Sequence, residues 1–536
     1  MKHVQTRRKA LFASAAAAML AVLVIAGTGA TARAASPPTL VVDNSFTIKT
    51  SDPGRAFDPT ASMVDRAIYD TLFTYDGGNL AVPVPLLVST WTVNKNAEKF
   101  TFQLKKNVHF ADGTPLTSAD VVWSLKRLVN LAGNPAFLLS GVNVSATGPY
   151  TVVMQTKTPD TELPVILANP STGILNSALV KAHGGTDAAN AAKTDKAENW
   201  LNSSASAGAG SGPYTLSSYS VTSQITLVPS TNYWGASKPG FSSVVVRNMI
   251  APTQLLNVAR GSHEIAIDLS ADQAETLKTN KNVNVSLQPS TWIFFLMANA
   301  NAKVSPVTSN KDYQEAIRYA LDYGSLVSLA GPGAIQAPGM IPSMFLGALP
   351  QSAAIKTNLT KAKSLLAASG VGSTSVAIDY PDDLTINGVP FTSLAQKVQA
   401  NLQAAGFNIT LSGSPTTDWL NTYRSGKAPL VLSLWGPDYP DPADYLVFAP
   451  GKLVGLRAGW PTGADAAIEK IAAKALVTTA QGARKAIYQQ YQRMLNQTSP
   501  FFPLIQPTQA FVSTKDLKGA VYNAEYDTNI TQISPA

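Results

Sequence analysis

Residues 100 to 104, Phe-Thr-Phe-Gln-Leu, alternate apolar and polar side chains, which puts Phe100, Phe102 and Leu104 on one face of a strand. An Asp112-Gly113 turn follows. Thr117 and Asp120 then form a capping signature ahead of a helical stripe of Val121, Val122, Leu125, Leu128 and Val129. A second helix is predicted over 360–369, where Ala362, Leu365, Leu366 and Ser369 share a face and Gly370 supplies the stop. A third carries Leu394, Val398, Leu402 and Ala405, closes at Gly406, and leads into an alternating strand over 407–411. Helices over 465–476 and 481–495 carry Ile468, Ile471 and Ala475, then Ile487, Tyr491 and Leu495. Helices feeding strands in this way predict α/β layers.

With 536 residues, the chain exceeds what one hydrophobic core organises, so at least two lobes are expected. Residues 203–212, SSASAGAGSG, are small and without apolar period, and read as a flexible surface loop. No repeat of about 20–50 residues suggests a solenoid.

The N-terminus changes the picture. Lys2, Arg7, Arg8 and Lys9 precede an apolar run from Ala10 to Ala26, and Ala32-Arg33-Ala34 is a small-residue cleavage site. Residues 1–34 therefore read as a signal peptide cut before Ala35, by the general route or, given Arg7-Arg8, the twin-arginine one. The formal charge of +8 shrinks with it. Removing Lys2, Arg7, Arg8, Lys9 and Arg33 from 41 basic residues leaves 36 against 33 acidic, a balance of +3, so no electrostatic case for nucleic acid stands. The chain has no cysteine, hence no disulfide, no thiol nucleophile and no site for a lipid-modified Cys.

Motifs of chemistry are few. Gly235-Ala236-Ser237-Lys238 runs into Pro239 where a serine-hydrolase elbow needs its glycine. The four histidines are His3, His109, His183 and His263, and His263-Glu264 lacks a second imidazole four residues on, so no metal site is expected. No phosphate-cradling loop occurs, and no cofactor is expected. The informative string runs from Leu434 through Trp435, Gly436, Pro437, Asp438, Tyr439 and Pro440 to Asp441 and Pro442, with Asp444 just beyond. Local chemistry leaves two readings open: a Pro/Asp turn whose acids cap backbone amides, or a functional set of carboxylates.

Six blocks in order resemble the bacterial extracellular solute-binding proteins of family 5, which include periplasmic dipeptide-, oligopeptide- and nickel-binding proteins. They are Asp58-Pro59 with Arg66 to Leu72; Phe110 to Leu116 with Asp120-Val121; Gly210 to Tyr214; Ser230 to Trp234; Ala316 to Asp322 with Lys361 to Gly370; and Trp435 to Pro442. The resemblance implies a two-lobed, periplasmic-binding-protein-like α/β fold of the large cluster C type, with an N-terminal subdomain at about 60–150 and a hinge. Lobe I is expected over 35–270, lobe II over 271–505, and a return to lobe I over 506–536.

By the same resemblance the protein is the substrate-binding component of an ABC importer. It is expected to be a monomer, periplasmic or secreted, that delivers peptides to a membrane permease and is not an enzyme. Asp438 is implied as the partner of a peptide α-ammonium, with Trp435 as an aromatic wall, main-chain pairing beside Gly436 and Pro437, and Tyr439 adjacent. The facing strip gives Ser62 and Met63. Arg424 falls near a carboxylate-binding position, with an ordinary exposed arginine as the alternative, and Phe391 or Thr392 stands where dipeptide binders place a basic residue. Two alternatives accompany this reading: the same fold holding an opine, an oligosaccharide or a metal chelate, or a secreted hydrolase acting through Asp438 and Asp441.

Overall fold

The computed structural model describes residues 38–536. The signal peptide expected over 1–34 lies outside the described residues. Among the described residues no helix is long and apolar enough to cross a membrane.

Three sheets organise the chain. The first has seven strands in the order Val283–Pro289, Thr508–Thr514, Glu264–Ala266, Thr39–Asn44, Ser243–Asn248, Gln224–Pro229 and Tyr214–Tyr219. Thr39–Asn44 is parallel to both of its neighbours, and the outer pairs are antiparallel. The second has six strands, ordered Ile335–Gln336, Phe501–Gln506, Ile293–Ala298, Leu430–Trp435, Val376–Pro381 and Ile409–Ser414. A four-stranded antiparallel sheet, Val88–Val93, Lys99–Leu104, Thr151–Gln155 and Asn143–Gly148, forms the subdomain.

Burial explains the apolar runs. All six residues of Ile293–Ala298 are buried, because both faces of the second sheet are covered. Ile293, Phe295 and Met297 join a hydrophobic cluster shared with the subdomain, whereas Phe294, Leu296 and Ala298 join the opposite one. In Lys99–Leu104 the expected alternation holds, with Phe100, Phe102 and Leu104 buried. Thr117 and Asp120 form the capping box of the helix Ser118–Asn130. Leu359–Ser369 ends at Gly370, whose φ of +69° favours glycine.

Two expectations are corrected. The chain passes from the first sheet to the second at residues 290–292, after Val283–Pro289 has paired with Thr508–Thr514, so the first crossing lies beyond the expected 270. A strand added so late to the first sheet leaves no local trace of which sheet it joins. The return comes at Pro507, between Phe501–Gln506 and Thr508–Thr514, beside the expected 506. The 203–212 segment is not a free loop either. Its end is buried, and a Cβ on Gly210 or Gly212 would overlap the carbonyls of Ile68 and Ala67, so these glycines permit close packing on the helix Pro59–Ile68.

Candidate functional site

A cavity of about 720 Å³ lies between the first and second sheets, a size ordinary for a small-ligand site. It opens at the carboxyl ends of Thr39–Asn44, Glu264–Ala266 and Leu430–Trp435, where α/β sheets gather their ligands. The first-sheet side contributes Asp58 and Ser62 from the start of the helix Pro59–Ile68, Asp268 after Glu264–Ala266, and Glu525 and Asp527 near the C-terminus. From the second-sheet side come Gly436, Pro437 and Asp438 and the hairpin around Asn387-Gly388. Trp292 stands at the crossing between them.

Asp438 follows directly on a buried strand, which fixes where its backbone emerges. Its N–H donates to Asp444 Oδ2 at 3.3 Å, and Trp435 Nε1 donates to the same oxygen at 3.0 Å. No hydrogen bond to the Asp438 carboxylate is formed among the described residues, and burial pushes its pKa up to about 6. Asp444 is raised further, by burial and then by the charge of Asp438. The arrangement presents an acceptor group to the cavity with nothing yet donating to it.

Of the expected site residues, the fold brings Ser62, Gly436 and Asp438 to the cavity. Met63, Trp435, Tyr439 and Arg424 are not among its lining. Met63 lies on the core face of its helix and is fully buried. Trp435 is turned to Asp444 and sets its ring edge-on to Phe448 at 5.7 Å. Tyr439 packs against the cluster shared with the subdomain, with its hydroxyl held well above the usual range by burial and then by Glu162. Arg424 is exposed in the last turn of Thr416–Ser425.

Asp441 caps the turn Pro442–Phe448 and receives Arg484 through Nη2 at 2.7 Å and Nη1 at 3.1 Å. It does not line the cavity. The Pro/Asp string therefore splits: Asp441 is a capping acid, as the local reading allowed, while Asp438 faces the cleft. Arg484 neutralises Asp441, and with Asp441 outside the cavity lining the two acids Asp438 and Asp441 do not face a ligand together.

Sequence reasoning missed the aromatic wall and the clasp. Trp292 faces the cavity, and a Cβ on Gly436 would overlap its ring. Asn387 and Gly388, both at positive φ, form the tip of the hairpin between Thr385–Ile386 and Val389–Pro390. Asn387 Nδ2 donates to Gln509 Oε1 at 2.9 Å across the cleft, and a Cβ on Gly388 would sit 2.7 Å from Ser270 Cβ. The Asn-Gly dipeptide between Ile386 and Val389 was the available signal.

The model of "bacterial extracellular solute-binding proteins, family 5 Middle" matches residues 82–452. The chain is 29% identical over 513 residues to the probable D,D-dipeptide-binding periplasmic protein DdpA of Escherichia coli K12, covering 94% of this chain and 95% of that one. Its fold superposes on DppA of Helicobacter pylori in complex with the peptide STSA, with a TM-score of 0.72, 18% identity and coverage of 93% and 98%. It also superposes on AgaA of A. tumefaciens R10 in complex with agropinic acid, with a TM-score of 0.71, 21% identity and coverage of 93% and 99%. These likenesses show a two-lobed binding-protein fold.

Proposed function

The chain belongs to the bacterial extracellular solute-binding proteins, family 5, and from that membership we propose that it captures peptides outside the cytoplasmic membrane for an ABC importer. The lobes, residues 38–289 with 508–536 and residues 293–506, close about 290–292 and Pro507, where the chain crosses between sheets. A peptide enters the cleft, and the loaded form docks on the permease. Residues 1–34 direct export and are removed.

The observation that carries this reading is the Asp438 carboxylate, facing a cavity between two lobes with no hydrogen bond or cation of its own among the described residues. A buried carboxylate costs several kcal/mol to desolvate, so a fold keeps one where a cation comes to meet it. The α-ammonium of a peptide is such a cation. Gly436 offers main-chain groups for an extended ligand, Pro437 offers only its carbonyl, and Trp292 supplies the apolar wall. The identity of DdpA supports a peptide ligand, and the agropinic acid held by AgaA makes an opine the reading to exclude.

Calorimetry tests the assignment. Asp438→Ala is expected to abolish peptide binding and to leave the melting temperature of the empty protein at or above that of the parent. Unchanged affinity would remove the α-ammonium from Asp438. Stabilisation by opines but by no peptide would replace the ligand class.

A further inference from the structure

We infer, building on the peptide-receptor reading, that the cleft selects ligands with a second cationic centre, an amine or guanidine, held on the first lobe by Asp58, Asp268 and Asp527. Asp438 holds the first cation from the other lobe. Asp58, Asp268, Asp438, Glu525 and Asp527 all line the cavity, and among its described lining there is no lysine, arginine or histidine.

The cluster is not neutralised from behind. Lys49 acts on Asp58 from outside the cavity lining, and among the described residues it is the one cation that acts on any of the three aspartates. Asp58 accepts from Ala61 N at 2.9 Å and Thr47 Oγ1 at 3.0 Å; Asp268 accepts from Ser45 N at 2.5 Å and Gln254 Nε2 at 3.1 Å. These neutral donors orient the carboxylates without removing their charge. The Asp527 carboxylate accepts no hydrogen bond among the described residues. Its pKa is pushed up to about 7 by burial, then by the charges of Asp268 and Asp58.

Glu525 supplies an independent sign of a missing donor. It lines the cavity, and its Oε1 is closed to solvent with no hydrogen-bond partner among the described residues, although Asn169 hydrogen-bonds the group and burial holds its pKa well above the usual range. A buried acceptor left empty costs about 1–3 kcal/mol, which a ligand N–H recovers on entry. Among the described residues no group of three or more His, Cys, Asp or Glu could hold a metal ion. The same lining discriminates against an acidic ligand side chain, which would meet five acids and, among the described lining, no lysine, arginine or histidine.

Calorimetry with Ala-Ala-Ala, Ala-Lys-Ala, Ala-Glu-Ala and spermidine tests the inference on the full mature chain. Ala-Lys-Ala is expected to bind at least about tenfold tighter than Ala-Ala-Ala, as a close charge pair in a buried site provides, and Ala-Glu-Ala to bind weakest. Asp527→Asn, an isosteric change at a carboxylate without hydrogen bonds, should cut the lysine advantage to about threefold or less while Ala-Ala-Ala affinity holds. Asp268→Asn repeats the test at a second position. Asp438→Asn should weaken all peptides alike, which separates failure of the α-ammonium reading from failure of this one.

Equal affinity for Ala-Ala-Ala and Ala-Lys-Ala overturns the inference, as does a lysine preference that survives both Asp527→Asn and Asp268→Asn. Binding of spermidine with no peptide bound supports the dicationic cleft and overturns the peptide. Failure of all four probes to bind at millimolar concentration overturns both.

Discussion

Two sets of acidic residues in the first lobe are held in opposite ways. Asp52 and Asp195 enclose Arg127: Nη2 donates to Asp52 Oδ2 at 2.6 Å, Nη1 to Asp52 Oδ1 at 2.7 Å, and Nε to Asp195 Oδ2 at 2.8 Å. Arg55 adds a second guanidinium, 3.0 Å from Asp195. Burial pushes Asp195 up, but the hydrogen bonds and charge of Arg127, together with the backbone N–H groups of Thr186 and Ala197, hold the carboxyl below the usual range. Asp58, Asp268 and Asp527 lie around the cleft without a guanidinium, and burial leaves all three raised. Residue type is the same in both places. What differs is whether the fold itself supplies a guanidinium as countercharge.

The largest effect should come from removing the internal countercharge. Arg127→Met leaves the buried Asp52 and Asp195 with the more exposed Arg55 as their countercharge, and unfolding in urea should show a loss of about 3–5 kcal/mol. Asp527→Asn, by contrast, should stabilise the empty protein or leave it unchanged. Equal losses from both would erase the distinction.

Next comes closure, which brings the cleft acids around a ligand without touching the Arg127 set. Gly388→Ala adds a Cβ 2.7 Å from Ser270 Cβ at a φ of +78°. An alanine in this region costs the folded lobe about 1–2 kcal/mol, which urea unfolding should show, and its clash with Ser270 should in addition lower peptide affinity about tenfold.

The smallest effect is in pH. In the empty protein Asp527 keeps its proton up to about 7 and Asp438 to about 6, against an ordinary 3.8 when unfolded. The folded state therefore binds more protons in that window, and the contribution of these groups to stability falls as pH rises from about 4 to 7. A cationic ligand needs both ionised, so affinity should rise between pH 5 and pH 7.5, by less than about tenfold per unit for each group, and level off above. Asp195, already ionised, adds no slope there. An affinity flat across this range would show that the cleft acids are ionised without a ligand.

The legible part of the chain was its scaffold, and one cluster shows why. Three of the blocks that carried the family resemblance meet at Asp70, which accepts from Trp234 Nε1 at 2.8 Å and Ser211 Oγ at 3.0 Å and pairs with Arg66 at 3.3 Å. Those motifs mark packing rather than ligand. In the last block the sequence located Asp438 but not its neighbour's orientation. Trp435 and Trp292 are both tryptophans beside strands of the second sheet, and which indole faces the cleft depends on Asp444 drawing one of them inward. Arg424 shows the same limit, since spacing from Trp435 placed it near the string but the helix carries it to the surface.

By itself the sequence determined the α/β class, the helix caps at Thr117 and Gly370, and the ordered family blocks, because each rests on contacts within a few residues or on a contiguous string. Only the tertiary structure decided where the sheets exchange the chain, which tryptophan lines the cleft, and that Asp58, Asp268 and Asp527 share one wall. Those three come from a helix cap, a strand end and the C-terminal return. Charges so far apart along the chain show no pattern until folding brings them together, and whether each meets a cation is a property of the assembled cavity.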